Sequence, residues 1–477
     1  MNFSIRSAIL PLLFPAIAAS APSGPTILQV EPGQKQQQLD GMGGGAIFYE
    51  AHITSLAARN KDSAQTALYD AMFRDVRTDF LHLMIRHDHE PQNDNADPWQ
   101  PAFKDEWFAY AEHTAAICAA AKARQPGMKL YATLYTPPAW MKTNNDVSAG
   151  GKARGTLRPG MELELAEFCW AFLDWMQRRG HPVEFLSIAN EPDWEHTQPG
   201  YWLTPEAHAA LFAKVADYLK EMARRHPQVP AVKLVASNTL SAVDCAKHWL
   251  PPLLKTAGMD LAVVGSHDYD RRGDRWRALT KAAQGRPVWC TEWCVNGPDH
   301  SPYLLHSAGE YWLAMTEAFN GGASGWMAYA WVYPPRPGGE ALIHVNWGLD
   351  FRLTKIYHGY RQWCLPLAPG MHVVTTTLSG PAASGFSAPG VKAAAFASPD
   401  GRRLVIHAAA VQDADAAISL RITGAGNATI QRLRTSATAS VDTLPAVTLK
   451  AGALEDTLPG RSMTTWLIGY PQGFGGK

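Results

Sequence analysis

Eight short apolar runs recur along the first three-quarters of the chain, and a helical pattern follows nearly every one of them. The runs cover 41–47, 80–85, 129–135, 183–189, 232–236, 261–266, 287–291 and 325–332. They are almost unbroken in apolar residues, as strands are when both faces of their sheet are buried. The helical patterns cover 63–76, 104–124, 162–179, 205–225, 246–255, 275–283 and 302–319, with an eighth through 354–364. Strands alternating with helices build a parallel sheet, and eight such units in series predict an α/β fold, a (β/α)8 TIM barrel.

The pattern changes after about residue 366. Across 371–470 the helical period disappears and short β-rich runs take over, at 372–377, 391–396, 403–408, 417–422, 429–433 and 463–468. Gly, Pro, Asp and Ser punctuate them, which predicts a C-terminal antiparallel β-sandwich. A strand at 26–31 is expected to join it. The divisions are then 33–366 for the barrel and 367–472 for the sandwich.

The first 21 residues read as a secretory signal peptide. Arg6 supplies a positive start, residues 8–19 are apolar apart from Pro11 and Pro15, and Ala16-Ile17-Ala18 or Ala19-Ser20-Ala21 offers a cleavage site. The apolar run is too short to span a bilayer. A secreted or periplasmic protein is expected. Lys+Arg and Asp+Glu are both 43 among 477 residues, so no basic field exists to hold nucleic acid or anionic lipid, and a neutral substrate is the simpler partner. The cysteines, at 118, 169, 245, 290, 294 and 364, are irregularly spaced in a long chain and do not form a disulfide scaffold. Free thiols and one or two disulfides both remain open.

Two strand ends carry carboxylates. The fourth run closes in Ser187-Ile188-Ala189-Asn190-Glu191-Pro192, and the seventh in Trp289-Cys290-Thr291-Glu292-Trp293-Cys294. Barrel enzymes place their chemistry at the C-terminal ends of strands. A carboxyl desolvated there gains the raised pKa that a general acid needs near neutrality. Strands four and seven stand three places apart around a narrow ring, so the two side chains can face each other across the mouth. Carboxyls about 5–5.5 Å apart support double displacement with retained configuration. Taken singly, Glu191 reads equally as a cap and Glu292 as a buried ion-pair partner. Asn190 is placed to hydrogen-bond a sugar hydroxyl.

These motifs resemble the clan of retaining glycosidases whose acid/base and nucleophile glutamates end strands four and seven, and within it glycoside hydrolase family 30. Leu39-Asp40-Gly41-Met42-Gly43-Gly44-Gly45 resembles that family's Gly-rich first strand. Tyr135-Thr136-Pro137-Pro138-Ala139-Trp140-Met141-Lys142-Thr143-Asn144 resembles its third-strand loop, with Thr136 where Ser is usual. The attached β-module fits as well. The resemblance implies a β-glycosidase with Glu191 as acid/base and Glu292 as nucleophile, needing no cofactor. It implies that Arg86 lies beside Glu292, keeping it ionised and lowering its pKa. Tyr269 or His267 is expected to donate to the nucleophile or the departing oxygen. Trp331 would floor the subsite of the cleaved sugar, or else be a core residue, and Trp140 and Asn144 would line the mouth. The implied substrates are β-1,6-glucan, β-1,6-galactan, xylan, or glucosyl and xylosyl conjugates. The neutral charge balance leans towards β-linked glucose or galactose.

Two other readings compete. His87-Asp88-His89-Glu90, with His267 and Asp268, has the residue types of a metal-dependent hydrolase. A barrel that binds carbohydrate without cutting it is the other.

Overall fold

The computed structural model describes residues 24–151, 153–297, 299–383 and 390–470. The expected leader, 1–21, lies outside the described residues, as do 471–472 at the end of the expected sandwich. Among the described residues no helix is long and apolar enough to cross a membrane.

The eight apolar runs close into a barrel of parallel strands: Gly41–Ala46, Phe80–Ile85, Lys129–Leu134, Phe185–Ser187, Lys233–Thr239, Leu261–Ser266, Val288–Trp293 and Gly325–Ala328. Seven of the strands plug the interior with Phe80, Tyr131, Phe185, Val235, Val263, Trp289 and Met327. The Phe80 and Phe185 rings lie 4.6 and 4.8 Å from that of Trp289. The first strand contributes glycine instead, because a Cβ on Gly43 would sit 2.4 Å from the Phe80 carbonyl oxygen. Two residues further along the strands the interior turns polar. His82 Nε2 and Thr133 Oγ1 are 2.9 Å apart, the Thr291 hydroxyl donates to Asn238 Oδ1 at 2.9 Å, and Asn238 Nδ2 donates to the Tyr131 hydroxyl at 2.6 Å. This network ties strands two, three, five and seven together beneath the mouth, and chained hydrogen bonds of this kind are strengthened by the low dielectric of the interior.

The helices follow from local signals. Thr204 caps Pro205–Arg225 by accepting from Ala207 N at 3.1 Å, with proline in the first turn where no N–H is needed. His208, Leu211, Phe212, Val215, Leu219 and Met222 recur on its buried face at helical spacing. The expected helix at 246–255 is instead a turn at Ala242–Asp244, a π-helical turn at Cys245–Trp249 and the helix Leu250–Ala257. The segment at 104–124 divides into a 3₁₀ turn, Asp105–Phe108, and the helix Ala111–Arg124.

The expected eighth strand, 325–332, breaks at Tyr329. Its first half closes the barrel. Its second half, Ala330–Tyr333, pairs with Ala341–Asn346, which turns back into Asp350–Leu353 to make a side sheet of three strands.

The C-terminal strands form one continuous sheet of nine. Its spatial order is 440–449, 428–435, 462–469, 403–410, 391–397, 372–379, 26–38, 416–422 and 453–458. The N-terminal strand joins as expected, as Thr26–Gln38. It runs antiparallel to His372–Ser379 but parallel to Ala416–Ile422, so the module is mostly, not wholly, antiparallel. The sheet curls over a core that includes Leu28, Ile406, Leu420 and Trp466. Asp456 of one edge strand accepts from Arg432 at 3.0 Å and from Trp466 Nε1 at 3.0 Å. The two strands that the sequence did not reveal, Ser440–Leu449 and Ala453–Leu458, are the two edges. Pro445 and a run of polar positions blunt their apolar signal, as edge strands commonly do. The sheet packs on the helices Leu305–Asn320 and Lys355–Cys364, with the rings of Trp363 and His407 stacked at 4.3 Å.

Candidate active site

The C-terminal mouth of the barrel opens into a cavity of about 570 Å³ whose walls include both motif glutamates. Glu191 follows strand four with a left-handed φ of 44°, its N–H donating to the Asn238 carbonyl at 2.8 Å. Glu292 ends strand seven. Strict alternation from Trp289 and Thr291, which face the barrel interior, would turn Glu292 outward. A register shift between Cys290 and Trp293 removes that constraint, Glu292 enters the mouth, and Trp293 packs outside against Tyr311 and Trp326.

One carboxylate oxygen from each glutamate and a ring nitrogen of His267 lie within 4.8 Å of one another. His267 Nδ1 is hydrogen-bonded to Glu191 Oε1 at 2.8 Å and lies 3.6 Å from Glu292 Oε1. Glu292 accepts from two phenols, Tyr269 on Oε1 at 2.9 Å and Tyr135 on Oε2 at 2.8 Å. These contacts make the two carboxyls unequal. Burial, unopposed, raises Glu191 to about 8. Burial raises Glu292 too, but His267 and the two phenols favour its ionised form against the neighbouring Glu191, and it settles near 6. Around pH 7 the pair therefore holds one proton, on Glu191. Such a pair can supply one protonated carboxyl as an acid and one carboxylate as a base or nucleophile.

The expected residues divide into two groups. Glu191, Glu292, Asn190, His267 and Tyr269 converge, and Asn190 Oδ1 makes no hydrogen bond within the protein. The others do not reach the cavity. Arg86 does not neighbour Glu292. The chain turns directly after strand two, and the guanidinium pairs with Asp88 at 3.0 Å and lies over the Tyr110 ring at 3.8 Å. Its expected lowering of the Glu292 pKa is absent, and the net shift is upward. Trp331 is fully buried in the core between Phe73 and Tyr360, because the break at Tyr329 moves it out of the barrel wall. Trp140 Nε1 donates to the Glu90 carbonyl at 3.0 Å and Asn144 Nδ2 to the Ser148 carbonyl at 3.0 Å, so both brace their loops.

The residues of the metal reading are likewise scattered. Asp88 is held by Arg86, His89 Nε2 by the Phe168 carbonyl, Glu90 Oε1 by the Asp94 N–H and Asp268 by Arg275, while His267 lies at the glutamates. Tyr135, Tyr329, Tyr333 and Trp194 line the cavity without having been singled out. For Tyr135 a signal existed, since it immediately follows strand three at the face where barrel chemistry gathers. For Trp194 it was only the proximity to Glu191.

The barrel with a β-module on its flank is the fold of glycoside hydrolase family 30 structures. The catalytic domain of GH30 xylanase C from Talaromyces cellulolyticus superposes over 93% of this chain and 100% of its own, with a TM-score of 0.74 and 20% identity. SrfJ from Salmonella typhimurium covers 92% of both chains at TM-score 0.70 and 20% identity. The endo-β1,6-glucanase BT3312 covers 93% of this chain and 94% of its own at TM-score 0.68 and 15% identity. No family model matches the sequence. At these identities the likeness is one of fold.

Proposed function

We propose that the protein is an exported retaining β-glycosidase acting on a neutral β-linked glycan. The observation that carries this reading is the pair Glu191 and Glu292, in one cavity, within 4.8 Å oxygen to oxygen and with pKa values driven apart. Glu191 gives its proton to the glycosidic oxygen as the Glu292 carboxylate attacks the anomeric carbon. The bond to the leaving group breaks and a glycosyl ester forms on Glu292. Glu191, now ionised, takes a proton from water, which attacks the same carbon from the opposite side to Glu292 and releases the sugar with its configuration retained. Tyr269 and Tyr135 hold the nucleophile in line, and His267 orients the acid.

The tyrosine-rich, largely uncharged walls near the carboxyls favour a neutral sugar, with β-1,6-linked glucose or galactose preferred. The leader pattern at 1–21 supports secretion or a periplasmic location. Hydrolysis of a panel of β-1,6-glucan, β-1,6-galactan, xylan and aryl glycosides tests the reading, with the product anomer followed by NMR. The β-anomer is expected first. Glu292→Ala should be inactive but folded, and azide should restore turnover of an activated aryl glycoside in Glu191→Ala, releasing the β-glycosyl azide. Full activity in Glu292→Ala, or an α-anomer as first product, overturns it.

A further inference from the structure

Aromatic side chains do not stop at the cavity. Strands eight and one lie across the barrel from strands four and five, and on that far side a chain of rings leaves the mouth. Tyr329 and Tyr333 are 5.9 Å apart, Tyr333 and Tyr49 4.3 Å, Tyr49 and His52 5.2 Å, and His52 and Trp347 4.7 Å. The first three line the cavity beside Glu292. The last, Trp347, stands 49% exposed at the tip of the side-sheet hairpin.

That tip is held in place. Gly348 N donates to Ser55 Oγ at 2.9 Å, and Lys61 Nζ donates to the Leu349 carbonyl at 2.6 Å. Gly348 has a φ of 63°, and a Cβ there would lie 2.5 Å from the Arg59 side chain. Two hydrogen bonds and one close glycine approach thus fix the backbone immediately after an indole that buries only half its surface. Folding gains little from such an arrangement. A flat apolar ring on a pre-ordered support instead suits a ligand that offers an apolar face and a hydrophilic rim.

We propose that Trp347, backed by His52, is a distal sugar-binding platform for the retained, glycone side of a chain substrate. This inference rests on the glycosidase reading above. Glu191 lies on the strand-four side, with Trp194 three residues beyond it, so the departing sugar leaves towards Trp194. The sugar that becomes attached to Glu292 extends towards Tyr49 and Tyr333, and further units of the same chain reach Trp347. The preferred substrate is then an oligo- or polysaccharide longer than two units.

The test uses β-1,6-gluco-, β-1,6-galacto- and β-1,4-xylo-oligosaccharides of two and six units. Hydrolysis is measured for the wild type, Trp347→Ala and Trp347→Phe. Binding of the same sugars is measured by calorimetry on Glu292→Gln, with and without Trp347→Ala. The alanine variant should lose about tenfold in kcat/KM and in affinity for the six-unit sugar of the preferred series. It should match the wild type on the two-unit sugar, and Trp347→Phe should recover most of the loss. An equal loss at both lengths, no loss at either, or no binding of any of these sugars overturns the platform. If the wild type cuts none of them yet binds six units more tightly than two, and Trp347→Ala abolishes that preference, the platform stands and the catalytic reading falls.

Discussion

The phenol of Tyr135, just past the third strand, donates to Oε2 of Glu292, at the end of the seventh, across a 2.8 Å hydrogen bond that spans the barrel mouth. Together with Tyr269 it offsets part of the burial that would otherwise hold Glu292 protonated. Removing one hydrogen bond to a charged group costs about 1.5–3 kcal/mol. Tyr135→Phe should therefore lower kcat/KM at pH 7 by roughly ten- to a hundredfold. It should also shift the acid limb of the pH–rate profile upward. A profile with an unmoved acid limb would show that the contact is only structural.

The wild-type profile itself should be a bell. In the proposed mechanism Glu292 must be ionised to attack and Glu191 protonated to donate. With their values near 6 and 8, activity falls below the first as Glu292 takes up a proton, and above the second as Glu191 loses one. Both limbs are read from kcat/KM on an aryl glycoside. The alkaline limb should vanish in Glu191→Gln with a substrate whose leaving group needs no proton.

Glu191 should also tax stability in one direction of pH. Its folded value, about 8, lies above the ordinary 4.5. Between those values the native state binds the extra proton, so stability falls as pH rises through that window and no cost remains below it. Glu191→Gln should match the wild type near pH 4 and exceed it near pH 8 by on the order of 1–4 kcal/mol. Urea midpoints at the two pH values provide the comparison.

Gly43 is a packing glycine. A Cβ added there would meet the backbone carbonyl of Phe80 at 2.4 Å, and that group cannot swing aside as a flexible side chain could. Gly43→Ala should destabilise the barrel by about 1–3 kcal/mol or more, visible as a lower denaturation midpoint.

All six cysteines are buried and unpaired. Protein denatured without reductant should titrate six thiols with Ellman's reagent, and the folded protein should react slowly, because burial raises thiol pKa values and blocks access.

The amino-acid sequence determined the elements that local and periodic forces dictate. Apolar runs of strand length alternating with helical patterns read as buried parallel strands, so all eight barrel strands were legible, the sixth with both ends at Leu261 and Ser266. The helical pattern at 205–225 matches the observed helix Pro205–Arg225 end to end. Glu191 and Glu292 were legible as strand-end carboxylates, because a barrel sends such ends to one face. Only the tertiary structure decided where the chain departs from regularity. The shift that turns Glu292 inward and the break at Tyr329 that buries Trp331 depend on neighbours far away in sequence. So do the phenols that divide the two pKa values, since Tyr135 and Glu292 are 157 positions apart and meet only when the ring of strands has closed.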